Sequence, residues 1–328
     1  MRSVLVTGGA GYIGSHTCKA LASAGWQPVT YDNLSRGHAD AVRWGPLEIG
    51  DIRDGGRLNQ VLQQYRPACI VHFAALAYVG ESVREPELYY DNNVRGSLSL
   101  LQAALRVTPV PLIVFSSSCA TYGIPDRIPV DEETAQLPIN PYGETKLVVE
   151  RMLRAFEAAY SLRHCALRYF NAAGADPDGE LGERHEPETH ALPLIIAAGL
   201  GQGPAFSVFG TDYPTPDGTA IRDYVHVSDL AAAHVAAVDR LVAGAASSSV
   251  NLGTGRGSSV RELIQAVEVA LQRPVPVQLL GRREGDPPAL VARAERARAA
   301  LGWQPARSEL SQIVSDAVRW QSRGHASR

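Results

Sequence analysis

The sequence predicts an α/β protein: a doubly wound parallel sheet, with a second, smaller, discontinuous α/β domain after it. Three observations carry this. Over the first 170 residues, short β-branched runs alternate with helically spaced apolar residues, which is how buried parallel strands and their covering helices read in one dimension. A glycine-rich turn, Gly8-Gly9-Ala10-Gly11-Tyr12-Ile13-Gly14, links the first such strand to the first such helix. The length, 328 residues, is about twice the usual domain size of ~150.

Taken in order, Val4-Leu5-Val6-Thr7 reads as a strand, 13–24 as a helix, and Pro28-Val29-Thr30-Tyr31 as the second strand. Asp54 is placed to cap a helix whose Leu58, Val61, Leu62 and Tyr65 fall at i, i+3, i+4 and i+7, one apolar face. The strand Cys69-Ile70-Val71-His72-Phe73 follows, then a helix over 92–107, the strand Leu112-Ile113-Val114-Phe115, a helix over 142–160 and the strand Cys165-Ala166-Leu167-Arg168-Tyr169. Beyond Asn171, the stretches 176–182 and 211–218 are rich in Asp, Pro and Gly, which is loop chemistry and marks a second domain. An Ala-rich helix over 227–242 and a strand over 249–252 are expected to return to the main sheet. A helix over 260–271, a strand over 275–280 and a solvated Ala/Arg-rich helix over 289–300 complete the reading. The first domain is therefore 1–170 joined by a returning segment at about 222–255, and the second comprises 171–221 and 256–328.

Composition narrows the function. Lys and Arg number 31 against 34 Asp and Glu, a formal charge of -3, so no positive field exists to collect phosphate backbones, and nucleic acid is not an expected partner. No apolar run approaches the ~20 residues of a membrane span, and the N-terminus lacks the apolar core of a secretory signal. A soluble, cytoplasmic protein is expected, with no membrane partner. Cys18, Cys69, Cys119 and Cys165 stand far apart beside apolar residues, without a C-x-x-C pair or a matching His cluster. They read as structural thiols, and neither a disulfide framework nor a metal site is expected.

Two constellations carry chemistry. Gly8, Gly11 and Gly14 offer a tight turn, a close approach to a pyrophosphate and close helix–strand packing. Asp32 ends the second strand 18 residues beyond Gly14, where a carboxylate accepts hydrogen bonds from an adenosine ribose and repels an added phosphate, so the expected cofactor is NAD. Asp51 and Ile52 suit the adenine amine and ring face. In Tyr142-Gly143-Glu144-Thr145-Lys146 the i, i+4 spacing puts phenol and ammonium on one helix face. Joined to Ser116-Ser117-Ser118 at the carboxyl end of a strand, they form a Ser-Tyr-Lys set: Ser118, Tyr142 and Lys146. A free phenol titrates near 10, so a tyrosine acting as base at neutral pH must move by about 3 pH units, with Lys146 and a positive nicotinamide as the available source.

These residues resemble the extended short-chain dehydrogenase/reductase family and, within it, the UDP-glucose (UDP-galactose) 4-epimerases. The resemblance runs from Val4 to about Trp303 and rests on 7–16, 31–34, 50–53, 79–83, 89–94, 167–171, Arg222-Asp223-Tyr224 and Arg282-Arg283-Glu284-Gly285-Asp286. It implies a Rossmann-type NAD domain, a UDP-sugar-binding domain and a homodimer formed through the helices at 92–107 and 142–160. The implied reaction is reversible C4 epimerisation of UDP-glucose and UDP-galactose through a transient 4-keto sugar, with tightly held NAD. It implies further that Tyr12, Ile13, Asp32, Asn33, Asp51 and Ile52 contact the cofactor. Phe73, Ala74, Asn92, Ser116, Lys146 and Tyr169 do so from the other strands. Asn171, Phe209, Arg222, Arg283 and Asp286 anchor the nucleotide sugar, with Ser118 and Tyr142 at its reacting carbon.

Departures from the family pattern fall at four places. Ala77 stands where many members carry a lysine, Cys119-Ala120-Thr121 replaces Ala-Thr-Val, and His190 replaces a nucleotide-binding asparagine. Leu290 holds the position that limits sugar size and is intermediate in volume. A UDP-pentose 4-epimerase and a non-catalytic NAD-sensing regulator remain alternative readings. Absence of an acidic side chain in Cys119-Ala120-Thr121 disfavours dehydratases, which work at C5.

Overall fold

The computed structural model describes residues 2–283 and 286–324. β1 (Ser3–Thr7), α1 (Tyr12–Ser23), β2 (Gln27–Asp32) and β3 (Leu47–Ile49) open a seven-stranded parallel sheet. α2 (Gly55–Tyr65) starts at Asp54, whose side chain accepts the Arg57 amide, and leads to β4 (Cys69–His72). α3 (Val79–Arg84) and α4 (Pro86–Tyr89), which the sequence reading did not include, come next, and the expected 92–107 helix is a π-helical turn at Tyr90–Arg95 running into α5 (Gly96–Ala104). β5 (Leu112–Ser118) extends through the three serines, and α6 (Pro141–Tyr160) and β6 (His164–Tyr169) follow.

β7 (Asn171–Ala173), α7 (Ala191–Leu200), β8 (Phe206–Phe209), β9 (Ile221–Arg222) and β10 (Tyr224–His226) lie outside that sheet. The chain then runs through α8 (Val227–Val242) into β11 (Ser248–Leu252), which joins the large sheet beside β6 and gives the order β11-β6-β5-β4-β1-β2-β3. The remaining elements are β12 (Ser258–Ser259), α9 (Val260–Leu271), β13 (Val277–Leu280), β14 (Ala289–Leu290), α10 (Glu295–Leu301) and α11 (Leu310–Ser322). The expected helix over 289–300 is thus a short strand followed by a later helix: Leu290 is 8% exposed and Ala292 fully buried, the first drawn into β9–β14 pairing and the second into a bridge with Val130.

The large sheet is buried on both faces, as parallel sheets are. One face packs Val4, Val6, Val71 and Val114 against α1, α8 and α10, and Trp303 joins this core. The other packs Leu5, Val29, Ile70 and Ile113 against α2, α5 and α6. A separate core gathers α7, α9 and α11 around Ile195, Ile196, Leu263, Val267 and Ile313. All four cysteines are buried free thiols, as their apolar neighbours suggested. Among the described residues no helix is long and apolar enough to cross a membrane.

Candidate active site

A cleft of about 480 Å³ opens at the carboxyl ends of the sheet strands, where open parallel sheets place their ligands. Its first end is the glycine turn. Gly8 has φ +74°, and a Cβ on it would stand 2.6 Å from the Ala74 nitrogen; a Cβ on Gly14 would stand 2.2 Å from the Gly8 oxygen. Only glycine permits this packing, which leaves the start of α1 open: no side chain caps Gly11 and no acid stands in the first turn. Free amides at the positive end of a helix dipole suit a diphosphate. Asp32 accepts the Ala10 amide at 3.0 Å on one oxygen and the Leu34 amide at 2.8 Å on the other. Burial raises its pKa and these amides oppose the rise. The carboxylate, so held, lines the cleft with Tyr12, Ile13, Asn33 and Ile52. The cradle, the open helix start and the fixed carboxylate fit a dinucleotide.

Asp51 does not line the cleft. Arg53 grips both its oxygens, holding it well below the usual carboxylate range, and the Asn33 amide donates to it at 3.0 Å. It orients Asn33 instead.

The chemical centre comes from β5 and α6. Asn140 caps α6 by accepting the Gly143 amide at 2.8 Å, which aims Tyr142 across the end of β5. Ser118 and Tyr142 line the cleft together with Phe73, Ala74, Asn92 and Tyr169. Lys146 is buried, its Nζ 5.8 Å from the centre of the Tyr142 ring and donating to the Ser116 carbonyl at 2.7 Å. The Ser116 hydroxyl lies 2.6 Å from that of Tyr169, so Ser116 holds Lys146 and Tyr169 from behind. Burial pushes the Tyr142 phenol up, Tyr169 adds to this and the nearby Ser118 hydroxyl opposes it. Burial also lowers Lys146 to about 7, against the pull of Glu150. The chain's own residues therefore leave the phenol protonated, and the expected lowering by Lys146 does not arise from them alone.

One turn further along α6, Glu150 accepts Arg168 at 2.9 and 2.6 Å and Ser117 at 2.6 Å. This buried pair ties the helix to β5 and β6 directly behind the centre.

At the opposite end, β9 and β14 set Arg222 beside Leu290. The Asp286 carboxylate joins Arg222 at 3.1 Å to Arg283 at 3.3 Å. Asn171, Arg222, Asp286 and Leu290 line the cleft; Arg283 and Phe209 do not, and the Arg283 guanidinium lies 4.4 Å over the Phe209 ring. Glu284 and Gly285 of the same motif lie outside the described residues. Leu290, Cys119, Tyr122 and Phe170 make a small apolar floor.

Sequence reasoning missed two features. Arg36 donates to Glu81 and to the Glu186 carbonyl, each at 2.8 Å, and stacks 5.1 Å over Tyr78, drawing three segments together at the cleft edge. Around His190, which the sequence did single out, Glu183, His185 and Glu188 also converge, and Glu183 and His185 line the cleft with it. Burial opposes protonation of the two imidazoles, but the carboxylates prevail and hold His185 at about 9 and His190 at about 10. Their i, i+2, i+5, i+7 spacing follows neither helix nor strand, so no periodicity announced them.

Comparison with known proteins agrees with this arrangement. A UDP-glucose 4-epimerase of Rhizobium leguminosarum bv. trifolii is 55% identical over 323 residues, 98% of each chain. The UDP-glucose 4-epimerase of Brucella ovis, solved in complex with NAD, superposes with TM-score 0.95 at 54% identity and 98% coverage of both chains. That of Bifidobacterium longum, in complex with NAD+ and UDP, gives TM-score 0.93 at 37% identity, with 98% of both chains covered. The NAD dependent epimerase/dehydratase family matches residues 4–253, and with its glycine cradle, Ser-Tyr-Lys centre and this match the chain belongs to that family.

Proposed function

We propose that this protein interconverts UDP-glucose and UDP-galactose by inverting C4, with NAD as its cofactor. One observation carries the reading: a single cleft holds the dinucleotide cradle at one end, an arginine–carboxylate anchor at the other, and Ser118 and Tyr142 between them. Near full-length relatives of the same activity support it.

Each residue's part follows from its place. Gly8, Gly11, Gly14 and the α1 amides hold the diphosphate of the dinucleotide, and Asp32 holds its adenosine ribose. Arg222, as a planar charged fork, suits the substrate diphosphate, and Asp286 fixes its angle while remaining able to accept from a ribose. Arg283 and Phe209 support Asp286 from behind, whereas Asn171 and His190 contact the nucleotide. Tyr142 takes the C4 hydroxyl proton and Ser118 holds that hydroxyl. When bound, NAD would supply the acceptor and donor of the C4 hydride and a positive charge that favours the phenolate. Leu290 and the apolar floor give the sugar few polar contacts, so the 4-keto ring can present either face while the anchor keeps it bound.

The test is to incubate the purified protein with UDP-galactose and no added coenzyme. UDP-glucose is expected, with a lower kcat/KM for UDP-arabinose. No product, even with NAD supplied, overturns the reading, and a preference for the pentose changes the substrate. Residues 1–170 with 222–255 are proposed as the NAD domain and 171–221 with 256–328 as the sugar domain. A cytoplasmic homodimer is also proposed, supported by exposed Leu88 and Tyr90 ahead of α5 and Tyr160 at the end of α6. Light scattering reads its mass.

A further inference from the structure

We propose that Glu183, His185, Glu188 and His190 form a binding site for a divalent transition-metal ion such as Zn2+. The four donor atoms lie within 4.8 Å of one another. His185 Nδ1 stands 3.1 Å from Glu183 and 3.7 Å from Glu188, and His190 Nδ1 stands 2.9 Å from each carboxylate. A tetrahedral ion with bonds of ~2.0–2.1 Å separates neighbouring ligands by about 3.3–3.4 Å. The four His–carboxylate edges bracket that value and the other two are no longer than 4.8 Å, so rotation of the side chains draws the four donors in around the ion.

The donor set fits the ion in charge and softness. Two carboxylates balance a double positive charge, and two imidazole nitrogens favour zinc and its neighbours over magnesium or calcium. Supporting contacts orient the ligands: the Thr189 and His190 amides both donate to Glu188 at 2.8 Å, and the His185 ring meets Tyr12 and Tyr78 edge-on. Such outer contacts are what distinguishes a prepared site from a chance cluster.

The other carboxylate cluster in the molecule makes the contrast. Asp176, Asp178 and Glu180 already surround the Lys19 ammonium at 2.7–2.8 Å, so a cation of the protein's own fills that place. In the Glu183–His190 quartet the balancing charge is carried instead by two imidazoles, and these become ligands by giving up their protons when an ion enters.

The ion ties the 183–190 segment into one cross-linked wall of the cleft. Uptake is read without turnover, so the failure of this proposal leaves the proposed activity standing. The holoenzyme, dialysed against EDTA and then against buffer, is titrated calorimetrically with Zn2+ and separately with Co2+. The expected result is one ion per chain, the intense visible absorption of four-coordinate Co2+, no comparable heat from Mg2+, and a raised melting temperature with Zn2+. Glu188→Gln and His185→Gln should each weaken Zn2+ binding at least tenfold while keeping the native circular dichroism spectrum. Undiminished binding in both variants overturns the assignment, as does wild-type protein that takes up no ion. If a variant misfolds, anomalous diffraction from Zn2+-soaked wild-type crystals decides. Zinc between the four side chains upholds the proposal, and zinc only elsewhere overturns it.

Discussion

Tyr142 and Lys146 are both buried where neither charge is welcome, and this sets what changes at each should do. Tyr142→Phe removes the proton acceptor while preserving the ring. Loss of general-base catalysis costs ~10²–10⁴-fold, so kcat should fall by at least about a hundredfold with coenzyme still bound, read from turnover and from the nucleotide released on denaturation. Lys146 predicts a pH effect on stability. An unfolded lysine keeps its proton up to ~10.4, whereas the native one releases it above about 7. Between these values the unfolded chain binds more protons, so this group adds stability as pH rises from 7 and withdraws it as pH falls back. In coenzyme-stripped protein, the melting temperature of the native chain should gain on that of Lys146→Met between pH 7 and 9; a constant difference would show that Lys146 stays charged. At this scale the sequence put Tyr142 and Lys146 on one helix face and Ser118 at a strand end, and the structure brings these three positions to the ends of α6 and β5. The sequence did not reveal that Ser116 works from behind, since only the β5–β6 register sets its hydroxyl against Tyr169.

The element that matters most is α6, which carries Tyr142, Lys146 and Glu150 at successive i, i+4 positions. Its start is defined by the Asn140 cap, so Asn140→Ala should cost about 1 kcal/mol, measured by urea unfolding. It should also lower kcat more than it raises KM, because the phenol loses its aim while the Arg222 anchor stays intact. Regular elements were legible wherever periodicity was clean: α8 and α9 span the same residues in sequence and structure. The π-turn at the head of the 92–107 helix was not, because a π-turn shifts the apolar phase and blurs any 3.6-residue pattern. α7 was passed over for a related reason. Ala191–Leu200 is apolar almost all round, as a helix enclosed on several sides must be, so it shows no polar face to mark a helix.

Across the whole molecule, the two halves depend on each other beyond the shared cleft. Trp303 comes from late in the chain, yet it joins the core on one face of the large sheet, beside α10 and α8, and donates its indole N–H to the Asp229 carbonyl at 2.8 Å. Trp303→Ala should therefore destabilise the large-sheet core by about 3–5 kcal/mol, seen as a lower urea midpoint and faster exchange of amides in α8 and β11. Confinement of that exchange to the segment after residue 256 would mean the halves unfold separately. The discontinuous path was legible in outline from the Ala-rich run and the apolar strand after it. This later crossing was not, since one tryptophan in an exposed-looking stretch carries no directional signal.

The position of β11 governs how this chain must be made. Its partner β6 ends at Tyr169 and β11 ends at Leu252, so 252 − 169 = 83 residues must leave the ribosome before the border of the sheet is closed. At roughly 5–20 residues per second, that is about 4–17 s during which a nascent chain presents an unpaired hydrophobic strand. Synthesis halted within that window should yield truncated chains that aggregate or are captured by chaperones, whereas a stop placed after β11 should release the strain on the quality-control machinery.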